Sequence, residues 1–168
     1  MQAVPQAPAV SQLTAPRGVR ALGVAALGAA LLTVSYWVTW YAGWRDLLAS
    51  AHTPEYFTFE NAFPAADGWL AFCAFVAGVQ LLRRRPSAIY WLFLTAGCGF
   101  YLGLMDVLFD PENGIYLVPK GGDPVAVGIE IAINALTFSL SAIALWWAWR
   151  HRGWAARAPE PAPAGHGG

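Results

Sequence analysis

The fold is decided by residues 69–104, WLAFCAFVAGVQLLRRRPSAIYWLFLTAGCGFYLGL. Two apolar runs, 63–82 and 87–109, flank three consecutive arginines, Arg83, Arg84 and Arg85. Each run reaches the roughly 20 residues that an α-helix needs to cross about 30 Å of hydrocarbon. Because the connection between the runs is too short to do more than reverse the chain, they are predicted to form an antiparallel pair of helices in a membrane.

Two further apolar runs, 21–43 and 124–149, lie on either side of this pair. The composition agrees, with 57% apolar and 12% charged residues, whereas soluble proteins have about 45 to 50% and about 25%. The first run is longer than the core of a secretory signal, about 7 to 15 residues, so it is interpreted as a retained helix. We predict an all-α integral membrane four-helix bundle, antiparallel and up-down-up-down.

The predicted transmembrane domain covers residues 19–154, with helices at about 19–44, 62–84, 86–109 and 123–151. Residues 1–18 are rich in Ala, Pro and Gln, and residues 155–168 are rich in Ala, Pro and Gly. Such segments cannot bury enough apolar surface to offset the entropy of ordering, so both are predicted to be disordered.

The charges are sorted along the chain. Eight of the ten basic residues fall in three short stretches, and nine of the ten acidic residues fall between them. Because short cytoplasmic loops carry the Lys and Arg of membrane proteins, both termini and the turn Arg83–Arg85 are predicted to be cytoplasmic. The protein is predicted to lie in the cell membrane. A composition biased toward Ala, Arg and Gly favours a bacterial source, and therefore the bacterial inner membrane. The lipid bilayer is the predicted surrounding, and no nucleic-acid partner is expected.

Polar residues recur at one depth when each helix is counted from its cytoplasmic arginine. Sixteen residues, about 24 Å at 1.5 Å per residue, lead to a polar side chain in all four helices: Tyr36, Asp67, Tyr101 and Asn134. About one turn further out come Trp40, Asp106 and Glu130. The coincidence predicts a polar layer near the outer end of the bundle.

Carboxylates in this layer are predicted to face one another, because a charged side chain costs some 2.5 to 3.5 kcal/mol at the centre of a bilayer. Residues 54–64 contain Glu60 and four aromatic residues and are predicted to lie on the bilayer or to fold over the bundle mouth. The candidate ligand-binding residues are Asp106, Glu130, Asp67, Asn134, Tyr101, Tyr36, Trp40 and Glu60. A purely structural alternative has Asp67 and Glu130 bonded to interfacial water or loop amides.

Carboxylates beside aromatic rings predict binding of a small or lipidic molecule. Carboxylates close together in a medium of low dielectric require a proton on at least one of them or a cation that neutralises them. An organic cation would suit both the carboxylates and the ring faces. No metal site or cofactor is predicted, because His52 is the sole histidine on that face and Cys73 and Cys98 lack a metal or redox spacing. No catalytic residue is assigned. The alternative is a non-catalytic accessory or assembly subunit that binds a membrane-protein partner. A transporter or channel would require a homo-oligomer, since one four-helix bundle packs solid, and the inner halves of the helices lack a polar path.

Overall fold

The structure, a computed structural model, describes residues 15–118 and 123–156. Most of the two termini predicted to be disordered, residues 1–14 and 157–168, therefore lie outside the described residues. Within the described ranges all regular secondary structure is helical. The predicted all-α class is confirmed.

The chain forms seven α-helices in the described ranges, joined by short turns. In chain order they are α1 (Val19–Thr39), α2 (Arg45–Leu48), α3 (Pro54–Glu60), α4 (Pro64–Leu82), α5 (Ala88–Glu112), α6 (Pro124–Arg150) and α7 (Arg152–Ala156). A π-helical turn, Trp40–Trp44, joins α1 to α2, and a 3₁₀ turn, Ile115–Leu117, follows α5. Helix α7 extends into the tail predicted to be disordered from residue 155.

Four helical segments of the described chain are long and apolar enough to cross a membrane. They are Val19–Leu48, Pro54–Leu82, Ala88–Glu112 and Pro124–Arg150. Helix α1 packs on α4, α4 on α5, and α5 on α6, which are the contacts of a bundle. These features indicate a multi-pass helical membrane protein. The antiparallel order of the helices stays a prediction.

Two helix ends differ from the prediction. The first helix is regular only to Thr39, because the chain then widens into the π-helical turn and kinks at Gly43, whose φ of 95° suits a residue without a Cβ. The third helix continues through Pro111 to Glu112 instead of ending at residue 109. As a result Asp110, which the sequence placed in a loop, lies in the last turns of a helix.

Small residues let α1 and α4 approach closely. Ala30 of α1 is buried against Ala71 and Ala74 of α4. Further along the same interface Gly78 is so near α1 that an added Cβ would lie 2.9 Å from the backbone oxygen of Gly23 and 2.7 Å from Leu27 Cγ. Close packing of this kind stabilises helix pairs in lipid, where burial of apolar surface supplies no driving force.

The bundle has a separate apolar cluster at each end. Near the arginine-rich turn, Leu81 and Leu92 pack with Trp147 and Trp154, and the Trp147 indole donates a hydrogen bond to the Arg17 carbonyl. At the other end the buried members are Trp37, Trp40, Ala49, Ala51, Tyr56, Phe63, Leu102 and Ile115. Helix α3 therefore folds into the bundle mouth, the second of the two positions predicted for it.

The turn after α4 ends the helix with an arginine in a left-handed conformation. Arg84 has φ 54°. The Arg85 N–H bonds to the Gln80 carbonyl at 2.8 Å and the Arg84 N–H bonds to the Leu81 carbonyl at 2.9 Å. These are the two hydrogen bonds of a Schellman motif, a helix end that glycine usually occupies at the left-handed position.

We predict that Gly78→Ala lowers the stability of the protein, because the new methyl group must push α1 away from α4. Overpacking of this kind costs about 1 to 3 kcal/mol. Gly68→Ala, on the same helix, is the matched control, since nothing lies within 4 Å of a Cβ added there. Thermal unfolding in detergent measures both variants. An unchanged midpoint for Gly78→Ala would show that the α1–α4 contact is looser than described.

Candidate functional site

A cavity of about 480 Å³ lies among the four long helices and is closed on one side by the end of α3. Its wall at the α3 end is polar, and toward the arginine-rich end it is formed mainly by Ala and Leu side chains. Six of the eight predicted residues line it: Tyr36, Glu60, Asp67, Asp106, Glu130 and Asn134. Ser35, Thr39, Thr137 and Ser141 add hydroxyl groups to the same wall.

Glu60 is carried into the cavity by α3. The helix starts at Pro54 with the Thr53 hydroxyl accepting a hydrogen bond from the Tyr56 N–H, a standard cap. Tyr56 and Glu60 are one turn apart on the buried face, with 2% and 8% of their surface exposed. No hydrogen-bond donor or basic side chain in the described ranges contacts the Glu60 carboxylate. A buried carboxylate without such a partner is costly.

Asp67 lies in the first turn of α4 and is held by α1. The Trp37 indole N–H donates to Asp67 Oδ2 at 2.8 Å. The Trp37 ring is itself buried, with the Tyr36 ring edge-on at 5.2 Å. This hydrogen bond fixes two cavity-lining groups, one aromatic and one acidic, side by side.

Glu130 is hydrogen-bonded to Tyr56 of α3. The Tyr56 hydroxyl donates to Glu130 Oε2 at 3.3 Å and accepts from the Ser50 backbone N–H at 3.3 Å. Ser50 is fully buried. The phenol therefore joins three parts of the chain, α6, α3 and the loop after α2, at the mouth of the bundle.

Asp110 is a buried carboxyl group that sequence reasoning missed. It is 0% exposed, and its Oδ2 accepts a hydrogen bond from Asn134 Nδ2 at 3.2 Å. The same amide nitrogen donates to the Tyr116 hydroxyl at 3.2 Å. Burial, together with the nearby Asp110 carboxyl, raises the pKa of Tyr116 to about 12. The signal for Asp110 was its i+4 spacing from Asp106, which puts both on one side of α5.

The second carboxyl oxygen of Asp110, Oδ1, is buried and has no hydrogen-bond partner among the described residues. A buried polar oxygen without a partner is costly. Asn134, which lines the cavity, connects Asp110 and Tyr116 to the cavity wall.

Two predicted residues are not in the cavity wall. Trp40 is 3% exposed and lies behind the wall, where its indole N–H donates to Asn61 Oδ1 at 3.3 Å and its ring stacks on Tyr36 at 6.1 Å. Tyr101 is 64% exposed and points away from the bundle. Five residues separate it from Asp106, a rotation of about 140° at 3.6 residues per turn. The depth count could not predict which face of the helix Tyr101 occupies.

No basic side chain belongs to the described wall of the cavity. The one ion pair of residues 15–118 and 123–156 joins Arg45 to Asp46 at 3.7 Å, and both side chains are more than half exposed. The Arg45 guanidinium also lies 4.9 Å from the Phe57 ring centroid. Within the same residues no three His, Cys, Asp or Glu side chains are placed to hold a metal ion.

Fold and site together define a multi-pass helical membrane protein with an acidic, partly aromatic cavity at one end of its bundle. No known protein family, curated protein or solved structure matches the chain.

We predict that Tyr56→Phe lowers the free energy of unfolding by about 1 to 2 kcal/mol, because the Ser50 N–H and the Glu130 carboxyl both lose a buried partner. Tyr101→Phe removes the same hydroxyl from an exposed ring and is expected to change it by less than about 0.5 kcal/mol. Unfolding by a denaturing detergent, followed by circular dichroism, measures both. Equal effects of the two substitutions would contradict the buried network.

Proposed function

We propose that this protein binds a small organic cation, with or without a lipid chain, in the acidic cavity. The observation that carries the proposal is Glu60, which is nine-tenths buried, lines the cavity and has no donor or cation among the described residues. A buried charge is stable only when it is paired or neutralised. A bound cation supplies the missing partner.

The surrounding acids strengthen the same preference. Asp67, Asp106 and Glu130 line the cavity with Glu60, and no Lys, Arg or His belongs to its described wall. Opposite charges held in a medium of low dielectric attract strongly, whereas an anionic ligand would be repelled. Where these carboxyl groups are ionised, they favour a cationic ligand over a neutral or anionic one.

The aromatic residues and the volume of the cavity favour an organic cation over a metal ion. Tyr36 and Trp37 line the cavity next to the carboxylates, and ring faces attract ammonium groups. A volume of about 480 Å³ lies within the range of about 300 to 1,000 Å³ that is usual for small-molecule sites. A metal ion would require carboxylates converging on one point, and the described residues offer no such trio.

The sorting of charges supports an orientation for this site. Arg17, Arg20, Arg83–Arg85, Arg150 and Arg152 belong to one side of the bundle by sequence, and positive charge marks the cytoplasmic side. We infer that both termini are cytoplasmic, that the cavity lies in the outer half of the membrane, and that the membrane is the inner membrane of a bacterium.

We expect Glu60→Gln to weaken binding of radiolabelled tetraethylammonium by about 10- to 100-fold, since a charge-assisted contact contributes about 1.5 to 3 kcal/mol. Glu55→Gln removes a carboxylate from the exposed face of the same helix and is expected to leave binding within twofold. Equilibrium dialysis of the detergent-solubilised protein measures the dissociation constants. Equal affinity of both variants, or no binding to the wild type, refutes the cation site and favours the role of accessory subunit.

The orientation is tested with single cysteines in a Cys73→Ala, Cys98→Ala background. Ser87→Cys, beside the arginine turn, is expected to react with a membrane-impermeant maleimide only after the cells are opened. Thr58→Cys, on the exposed face of α3, is expected to react in intact cells. The reverse pattern of labelling would place the cavity on the cytoplasmic side.

A further inference from the structure

The long helices α1 and α6 both line the cavity but do not pack extensively on each other. Each neighbouring pair from α1·α4 through α4·α5 to α5·α6 is in close contact, and the ring is not completed by an α1·α6 interface. The two helices are tied near their ends only. The Trp147 indole bonds to the Arg17 carbonyl at one end, and α2 contacts α6 at the other.

The gap between them is apolar and open to the side. We define the α1/α6 slot by Ala25, Ala29 and Leu32 of α1 and Ile133, Leu136 and Leu140 of α6, all of which line the cavity. Leu32 is 61% exposed and Leu136 is 45% exposed although both line the cavity wall. Because these residues lie inside two of the membrane-spanning segments, the slot opens toward acyl chains and not toward water.

The cavity is therefore amphipathic along the bundle axis. Eleven residues, about 16 Å at 1.5 Å per residue, separate Ala25 at the apolar end from Tyr36 in the acidic layer. A molecule that fills it needs a cationic head and a slender apolar tail. A phospholipid head fits poorly, because the described wall holds no Lys or Arg that would pair with a phosphate.

We propose that the ligand is a single-chain cationic amphiphile, a long-chain amine or quaternary ammonium compound without a phosphate, that enters from the bilayer through the α1/α6 slot. This inference rests on the cation site proposed above and adds the tail and the route of entry. The head lies among Glu60, Asp67, Asp106 and Glu130, and the chain lies in the slot. The ligand then exchanges with the membrane without crossing water.

A photoreactive dodecyltrimethylammonium with a diazirine in mid-chain tests this in lipid nanodiscs. After irradiation, mass spectrometry of peptides is expected to find adducts on Leu32, Ile133 and Leu136 at least tenfold more often than on Val24 and Val38, which are exposed on α1 but lie outside the cavity wall. Excess dodecyltrimethylammonium is expected to suppress the slot adducts, and dodecanol at the same mole fraction is expected to leave them. Even labelling of all exposed positions, or equal suppression by dodecanol, overturns the proposal.

Substitutions in α1 give a second measurement. Ala29→Trp fills the slot and is expected to lower its adducts at least tenfold, whereas Gly28→Trp projects into open space and is expected to label like the wild type. If Ala29→Trp does not fold, the proposal is decided by the adducts on the wild-type protein and by their competition with dodecyltrimethylammonium and dodecanol. Tetraethylammonium binding without slot adducts would leave the cation site standing and refute lateral entry. Absence of both would refute both proposals.

Discussion

The acidic end of the bundle is governed by carboxyl groups that the described protein does not neutralise. Glu60, Asp67, Asp106, Asp110 and Glu130 gather there, and the described cavity wall contributes no cation. Hydrogen bonds hold three of them, from Trp37 to Asp67, from Tyr56 to Glu130 and from Asn134 to Asp110. Glu60 and Asp106 line the cavity, and their carboxyl groups have no hydrogen-bond partner among the described residues. The proposed preference for a cationic ligand and the amphipathic axis of the cavity both depend on this imbalance.

Much of the fold could be predicted because lipid imposes simple rules on sequence. The length of the apolar runs predicted the four long helices. The rise of 1.5 Å per residue predicted that Tyr36, Asp67 and Asn134 share one layer of the bundle. The i, i+4 spacing of Glu130 and Asn134 gave a shared face, and both line the cavity. Whether these residues bind a ligand, and which way the bundle is oriented, stay predictions.

Two kinds of feature could not be predicted from the sequence: the direction in which a side chain faces around its helix, and the residue at which a helix ends. The residue count placed Tyr101 in the polar layer, but its side chain points away from the bundle. A count of residues predicts depth along a helix and does not predict the direction in which a side chain faces. Asp110 was expected to lie in a loop, one residue after the predicted end of the third helix, yet α5 continues through Pro111 to Glu112. The short helix α3 and the Ser50–Tyr56–Glu130 contact join segments distant in sequence, and no local pattern encodes such pairings.

The left-handed arginine after α4 has an energetic implication of its own. A non-glycine residue pays roughly 1 to 2 kcal/mol for this conformation, so Arg84 is not the residue that would make the sharpest helix end. Its replacement by glycine would relax the backbone while removing one of three adjacent positive charges. The sharp reversal of the chain favours glycine at this position, whereas the proposed cytoplasmic orientation of the turn favours a positive charge there, and arginine meets the second demand at the expense of the first.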